Sequence, residues 1–126
     1  METTKRVLVI DDEDDIREIA QVSLEMVGGY EVLTACSGRE GLTRAETERP
    51  DAILLDFMMP DMDGATTFQR LQADAALRHI PVILLTAKVQ AADRRRFTEL
   101  GVKAVLAKPF DPLKLANDMA EVLGWN

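Results

Sequence analysis

Five polar residues of this chain stand directly after short apolar runs, where their side chains can act together. They are Asp11, Asp12, Asp56, Thr86 and Lys108. The runs before them, such as "VLVI" and "AILL", are apolar without alternation, which is typical of β-strands buried on both faces. The carboxyl ends of parallel strands share one edge of a sheet, and ligands bind outside that edge. We therefore expect three carboxylates, one hydroxyl and one ammonium to meet there.

Three carboxylates at one edge of a sheet need neutralisation. Two unit charges about 4 Å apart repel by roughly 4 kcal/mol at an effective dielectric of about 20. The carboxyls can take up protons, pair with cations or bind a metal. An all-oxygen site with few protein ligands and room for water suits Mg²⁺. We expect Asp11 and Asp12 to be ligands of that metal.

The acidic run "DDEDD" also allows a second interpretation. Its acids can simply stabilise the N-terminus of the following helix through the helix macrodipole. We adopt that interpretation for the last three acids, residues 13–15, although Glu13 is also placed to line the water shell of a metal. For the first two acids we favour metal binding, because Asp56 and Lys108 are predicted at the same edge.

Asp56 is our candidate nucleophile. A carboxylate beside Mg²⁺ and an ammonium can attack a phosphoryl group and give an aspartyl phosphate. Such a transfer depends mostly on positioning and charge stabilisation, so Lys108 would neutralise phosphoryl oxygens while the Thr86 hydroxyl donates to one of them. The product adds about 1.5 to 2 negative charges at the strand end, enough to reorganise nearby loops.

Five β-then-α units are predicted in series along the chain. The predicted strands are Val7–Ile10, Tyr30–Thr34, Ala52–Leu55, Val82–Leu85 and Ala104–Leu106. The stretches between them carry apolar residues three and four apart, which predicts amphipathic helices. The capping-box spacing of Ser37 and Glu40 marks the start of the second helix, and Asp111 with Pro112 marks the start of the last. This order indicates an α/β fold with helices on both faces of a parallel sheet.

The length and composition fit one globular domain, residues 1–126, and exclude several functional classes. The formal net charge of −7 argues against nonspecific nucleic-acid binding, which needs a basic surface. No apolar run approaches the roughly 20 residues of a membrane span, and we expect no signal peptide. The single cysteine excludes an internal disulfide and suits a reducing compartment, so we expect a cytoplasmic protein.

Four motifs resemble those of the receiver domains of two-component response regulators. They are "VLVIDDE", "PDAILLDFMMPDMDG", "PVILLTA" and "AKPF", in that family's order and spacing, and the resemblance covers essentially the whole chain. It implies a flavodoxin-like, doubly wound fold like that of the chemotaxis receiver. That fold has five parallel strands in the order 2-1-3-4-5 and five helices, arranged in three α/β/α layers.

The resemblance also implies a role for each matching residue. Asp56 would be the phosphoacceptor. The implied ligands of Mg²⁺ are three carboxylates and one backbone carbonyl, contributed by Asp11, Asp12, Asp56 and Met58. Thr86 would be the switch hydroxyl, Lys108 would pair with the phosphoryl group, and the peptide bond between Lys108 and Pro109 would be cis.

One position departs from the family pattern. In the common pattern "YLTKPF" an aromatic residue stands three positions before the lysine, whereas "VLAKPF" places Val105 there. The usual coupling, in which the hydroxyl shifts and the aromatic ring turns inward, therefore has no ring to move. We expect the phosphorylation chemistry to persist and the output route to differ.

The implied partners are a phosphoryl donor and an output protein. The donor would be a phosphohistidine on a sensor histidine kinase or a histidine phosphotransfer protein, and neither nucleic acid nor membrane is expected to bind directly. Arg94, Arg95 and Arg96 lie in the predicted fourth helix, as an ordinary solvated face or as a docking patch for an acidic output partner. No output domain is expected within the chain, which would be a stand-alone regulator or a receiver from a longer protein.

Two other functions compete with the phosphorylated switch. An aspartate-nucleophile phosphatase also uses a strand-end aspartate, a hydroxyl, a lysine and Mg²⁺, but it would carry its phosphoryl group on Asp12 instead of Asp56. A receiver-like interaction module would never be phosphorylated, although all five chemical residues are present. We expect no enzymatic activity beyond Mg²⁺-dependent self-phosphorylation and autodephosphorylation.

Overall fold

A computed structural model describes residues 4–87 and 91–125, in which five strands alternate with five helices. The strands are β1 (Arg6–Ile10), β2 (Glu31–Ala35), β3 (Ala52–Asp56), β4 (Val82–Thr86) and β5 (Ala104–Ala107). The helices are α1 (Asp14–Met26), α2 (Gly38–Glu48), α3 (Gly64–Ala73), α4 (Ala91–Leu100) and α5 (Leu115–Leu123). Within the described ranges, none of these helices has both the length and the apolar character that a bilayer crossing requires.

The strands form one parallel sheet in the order β2-β1-β3-β4-β5, which confirms the predicted fold. Each predicted strand is found with its bounds shifted by at most one residue. Asp56 and Thr86 are the last residues of β3 and β4, although they were expected just beyond the strands. Their backbones still lie in register with Leu85 and Ala107 of the neighbouring strands.

The sheet is covered on both faces, which explains the continuous apolar runs. Alternate residues of β3 point to opposite sides: Ile53 and Leu55 pack in one core cluster, and Leu54 packs in the other. The first cluster includes Phe68 of α3 and the second includes Leu24 of α1. A strand buried on both faces needs apolar residues at every position, so these runs carry no period of two.

The predicted start of α2 is confirmed. Ser37 is the N-cap, and its hydroxyl accepts a hydrogen bond from the backbone N–H of Glu40 at 3.1 Å. In return, the Glu40 carboxylate accepts from the backbone N–H of Cys36 at 2.6 Å. Both side chains satisfy backbone donors that the first helical turn leaves open.

The predicted start of α5 is wrong by one turn. Asp111 and Pro112 open a separate turn, in which the Asp111 carboxylate accepts from the backbone N–H of Leu113 at 2.9 Å. The helix itself begins at Leu115. Asp111 therefore organises the turn before the helix and does not cap the helix directly.

An ionic cluster joins the chain at the amino ends of the strands. The Arg6 guanidinium lies 3.3 Å from the Glu31 carboxylate and donates to the backbone carbonyl of Glu48 at 2.9 Å. The backbone N–H of Arg6 donates to the Asp51 carboxylate at 2.8 Å. Arg6 thus ties β1 to β2, to the end of α2 and to the segment that enters β3.

Candidate functional site

Asp56 occupies the carboxyl end of the central strand β3 and is 2 % exposed. The chain after it folds back closely, because the backbone N–H of Gly64 donates to the Phe57 carbonyl at 2.9 Å. A Cβ atom added at Gly64 would lie 2.6 Å from the Asp56 carbonyl oxygen and 2.7 Å from the Phe57 Cα. Only glycine fits this close approach of two backbones, so Gly64 fixes the loop that closes around Asp56.

Asp11 and Asp12 follow β1 at the same edge. The backbone N–H of Asp11 donates to the Ala35 carbonyl at 3.1 Å, which extends the pairing of β1 and β2 by one residue. One carboxylate oxygen of Asp11 accepts from the backbone N–H of Glu13 at 2.8 Å. These two bonds hold the Asp11 side chain, which is 1 % exposed, toward the carboxyl end of β3.

Lys108 brings its ammonium group to these carboxylates from the end of β5. Its Nζ atom lies 3.1 Å from Asp11 Oδ2, 3.1 Å from Asp56 Oδ1 and 3.2 Å from Glu13 Oε1. The Lys108 backbone N–H donates to the Thr86 carbonyl at 2.9 Å, and the bond from Lys108 to Pro109 is cis. The structure therefore brings Asp11, Asp56 and Lys108 together, as the sequence predicts.

The charges at this edge perturb one another. Burial, together with the negative charge of Asp11, raises the pKa of Asp56 to about 7, although the Lys108 ammonium opposes that rise. Burial also raises the pKa of Asp11. Burial alone would lower the pKa of Lys108, but its close ion pairs with Asp11 and Asp56 outweigh burial and raise that pKa above its usual range. The single positive charge of the Lys108 ammonium does not balance the negative charges of the carboxylates in this cluster.

The carboxylates fit a hard divalent cation. Ligand oxygens of Asp11, Asp12, Glu13 and Asp56 all lie within 4.8 Å of one another. Among the described residues, three buried carboxylate oxygens have no hydrogen-bond partner: Asp11 Oδ2, Asp12 Oδ1 and Asp56 Oδ2. Buried carboxylate oxygens without donors are costly unless a cation or a proton satisfies them. A cation with oxygen ligands, such as Mg²⁺, would meet that need.

Two other predicted site residues, Met58 and Thr86, lie at the same edge of the sheet. Met58 has an exposed side chain, and its backbone N–H donates to Asp56 Oδ1 at 3.3 Å. Thr86 is 1 % exposed at the end of β4, the strand beside β3. Met58 therefore meets the site through its backbone, while Thr86 stands at the same sheet edge as Asp56.

Val105 is buried and packs in the core cluster that includes Phe97 of α4. Its backbone carbonyl accepts a hydrogen bond from the Arg94 guanidinium at 3.2 Å. The position that holds an aromatic switch in the family pattern is thus filled by a small core residue. A side chain of α4 is anchored to its backbone.

The three arginines of α4 do not form a uniform patch. Arg94 turns toward β5, as described above, while Arg96 lies 3.6 Å from the Asp93 carboxylate and 5.6 Å from the centroid of the Phe97 ring. Arg95 is exposed. Of the three, Arg95 is therefore the one whose described surroundings are most compatible with a docking role.

The contact between Glu13 and Lys108 was not predicted from the sequence, which assigned Glu13 to the helix dipole or to a water shell. Glu13 is the N-cap of α1, yet its side chain makes no capping hydrogen bond. Glutamate is not among the residues that favour an N-cap. The mismatch is visible only once the start of α1 is known from the structure, so the sequence alone did not indicate this contact.

Comparison with known proteins places these residues in a family. The model of the "Response regulator receiver domain" matches residues 7–120. The "Probable transcriptional regulator ycf27" of Guillardia theta is 41 % identical over 123 residues, covering 98 % of this chain and 47 % of that protein. The "Alkaline phosphatase synthesis transcriptional regulatory protein PhoP" of Bacillus subtilis is 42 % identical over 108 residues, covering 86 % of this chain and 44 % of that protein.

A solved structure agrees with the sequence comparisons. The chemotaxis response regulator CheY4 of Vibrio cholerae is 32 % identical and superposes with a TM-score of 0.88, covering 95 % of this chain and 99 % of that chain. The chain spans about half the length of the curated relatives it matches. Its similarity to those regulators therefore concerns one part of each.

Proposed function

Because this chain belongs to the receiver domains of response regulators, a family of two-component signalling and not of metabolic catalysis, we propose that Asp56 accepts a phosphoryl group. The observation that supports this proposal best is the position of the Asp56 carboxylate. It is buried at a strand end, 3.1 Å from the Lys108 ammonium, and one of its oxygens has no hydrogen-bond donor among the described residues.

The proposed step is an in-line displacement. A carboxylate oxygen of Asp56 attacks the phosphorus of a phosphohistidine, the phosphorus–nitrogen bond breaks, and its electron pair returns to the imidazole, which leaves. The Lys108 ammonium offers its charge to the phosphoryl oxygens, and the Thr86 hydroxyl is the proposed donor to one of them. Positioning and charge stabilisation dominate this type of transfer.

The proposed metal ligands are Asp11, Asp12, Asp56 and the backbone carbonyl of Met58. When bound, Mg²⁺ would neutralise negative charge on the transferring phosphoryl group. The donor set fits such an ion, because carboxylate oxygens cluster at the site and three of them are buried without hydrogen-bond donors in the described part of the chain.

The phosphorylated form is proposed to act as a switch for an output partner. Phosphorylation adds about 1.5 to 2 negative charges, which changes what Lys108 pairs with at the end of β5. Val105 offers no ring to rotate, so we place the output on contacts of α4, including Arg94 at the Val105 carbonyl. An acidic partner would meet the exposed Arg95.

The proposed donor is a sensor histidine kinase or a histidine phosphotransfer protein. We propose that residues 1–126 form one receiver domain, and that in the longer relatives such a domain works beside the rest of the regulator. The free, exposed Cys36 suits a reducing compartment, and we place the domain in the cytoplasm.

Intact-mass analysis after incubation with acetyl phosphate tests the proposal. We expect one phosphoryl adduct on the wild type that requires Mg²⁺ and is absent from Asp56→Asn. Asp61→Asn is the matched control, because Asp61 is an exposed acid of the loop after β3 that lies outside the carboxylate cluster. This variant should be labelled like the wild type.

Each other outcome of this experiment identifies a competing function. An unlabelled wild type would indicate an interaction module that works without phosphorylation. A label that persists in Asp56→Asn and disappears in Asp12→Asn would indicate a phosphatase-like nucleophile. Either result would overturn the assignment of Asp56.

A further inference from the structure

We propose that Glu13 is a positioning residue that holds Lys108 at the mouth of the site and releases it to the incoming phosphoryl group. This inference rests on the proposed phosphorylation of Asp56. It assigns to Glu13 a part in the reaction as an exchangeable counter-ion of the ammonium group.

The first argument is the way the Lys108 ammonium is shared. An ammonium group has three N–H donors, and three carboxylates surround this one, at 3.1 Å for Asp11, 3.1 Å for Asp56 and 3.2 Å for Glu13. The contact with Glu13 is a hydrogen bond, whereas those with Asp11 and Asp56 are ion pairs. Bonding to phosphorus removes the charge of the Asp56 carboxylate, so the phosphoryl oxygens then compete with Asp11 and Glu13 for Lys108.

Burial decides which carboxylate gives way. The side chains of Asp11 and Asp56 are each 1 % exposed, whereas that of Glu13 is 60 % exposed. Breaking a buried ion pair leaves an uncompensated charge in a poorly solvated place. An exposed carboxylate that loses its partner is taken up by water, and an exposed ion pair contributes little. Glu13 is therefore the contact that is lost at the lowest cost.

The local structure of α1 supports a role outside the helix. Glu13 occupies the N-cap with extended dihedral angles (φ −87°, ψ 116°), but its side chain does not cap the helix. Its backbone N–H donates to Asp11 Oδ1 at 2.8 Å, which fixes the Glu13 backbone beside the cluster. Glutamate is an unfavourable N-cap residue, yet Glu13 is held where its carboxylate reaches Lys108. Positions whose residue type conflicts with the local structure are often functional.

The first test compares Glu13→Gln with Asp15→Asn in phosphorylation by acetyl phosphate at saturating Mg²⁺. Both variants remove one negative charge from the start of the same helix, but Asp15 has no described contact with Lys108. We expect Glu13→Gln to raise the second-order labelling constant by about 2- to 5-fold, the range of an exposed ion pair. Asp15→Asn should leave that constant unchanged.

A second measurement does not depend on phosphorylation. Urea unfolding of metal-free wild type, Glu13→Gln, Lys108→Met and the double variant forms a double-mutant cycle for the two side chains. We expect a favourable coupling between Glu13 and Lys108 that shrinks at high salt, because the contact is exposed. A parallel cycle with Asp15→Asn should give no coupling.

The outcomes separate this inference from the proposed function. Equal labelling of Glu13→Gln and Asp15→Asn, or a cycle without coupling, would overturn the role of Glu13. Slower labelling of Glu13→Gln with a weaker Mg²⁺ dependence would also overturn it, in favour of a water-shell role. If the wild type takes no label while the cycle shows coupling, the proposed function fails and the pairing of Glu13 with Lys108 stands.

Discussion

Phe57 and Phe97 pack ring against ring, with their centroids 4.7 Å apart and their planes inclined by 50°. Phe57 directly follows Asp56, and Phe97 is 2 % exposed on the inner face of α4. The residue next to the proposed phosphoacceptor therefore touches the helix that we propose for output. Val105 leaves the position of the family's aromatic switch without a ring. The Phe57–Phe97 pair is an aromatic contact between the candidate site and α4.

Phe97→Ala should destabilise the domain strongly. Removing a fully buried phenylalanine costs about 3–5 kcal/mol, because apolar contact is lost and a cavity remains. Phe57→Ala should cost less, since Phe57 is only partly buried. Urea unfolding followed by circular dichroism measures both, and the double variant should reveal a coupling of about 0.5–1.5 kcal/mol for the ring pair. Additive single effects would mean that the two rings contribute independently.

The metal-free protein should lose stability as the pH rises toward neutrality because of Asp56. The pKa of Asp56 is raised to about 7 in the fold, so between about pH 4 and about pH 7 the folded state keeps a proton that the unfolded chain has lost. The free energy of unfolding then falls with rising pH in this window. Asp56→Asn removes this contribution. The free energy of unfolding of this variant, relative to that of the wild type, should therefore rise by on the order of 1–3 kcal/mol between pH 5 and pH 8.

Urea unfolding in EDTA at pH 5, 6, 7 and 8 measures that difference. Asp61→Asn, which removes an exposed acid of the loop after β3, is again the control. Adding Mg²⁺ should remove the gain of Asp56→Asn at pH 8, because a bound cation satisfies the charged carboxylate. A difference between wild type and Asp56→Asn that is constant across the series would contradict the raised pKa.

Mg²⁺ should stabilise the folded wild type. A ligand that binds only the folded state adds about 2.7 kcal/mol at a concentration of 100 times its dissociation constant. The thermal midpoint should therefore rise by several degrees with Mg²⁺ and return to its starting value with EDTA. Asp12→Asn should lose most of this rise, because the buried Asp12 oxygen without a donor is a proposed ligand. If Asp12→Asn responds like the wild type, Asp12 is not a ligand.

Val105→Tyr should destabilise the protein and should not restore an aromatic switch. Val105 is 5 % exposed and lies in the core beneath α4, so a ring has no space there without displacing its neighbours. Overpacking of this kind costs about 1–3 kcal/mol. Lys103→Tyr places the same ring at an exposed position just before β5 and should change stability by less than about 0.5 kcal/mol. Unchanged stability in Val105→Tyr would mean that the core has room for a ring.

The fold and the centre of the site were readable from the sequence. The apolar runs identify the strands because a strand buried on both faces, such as Ala52–Asp56, excludes polar residues until its end. The polar residue that ends such a run is then fixed at the sheet edge by the backbone alone. This is why Asp56 and Lys108 were predicted to meet and do lie 3.1 Å apart.

The remaining features depend on the conformations of long side chains, which the hydrophobic periodicity of the sequence does not determine. Arg94 was expected on a solvated face or in a docking patch; the residue is exposed, and the unpredicted feature is the hydrogen bond from its guanidinium to the Val105 carbonyl. Glu13 could reach several partners from its place at the helix start, and only the packing selects Lys108. The turn at Asp111 was misassigned because the pair Asp–Pro suits both a helix start and a preceding turn.

The ionic cluster around Arg6 lies at the amino ends of the strands, opposite the candidate site at their carboxyl ends. Arg6 and Asp11 stand at opposite ends of β1, roughly 16 Å apart for five residues of strand. The ion pairs of Arg6 share no partner with the ion pairs that Lys108 makes at the candidate site. A biosensor built on this chain would carry its fusions and stabilising changes at the amino edge and its readout at the other.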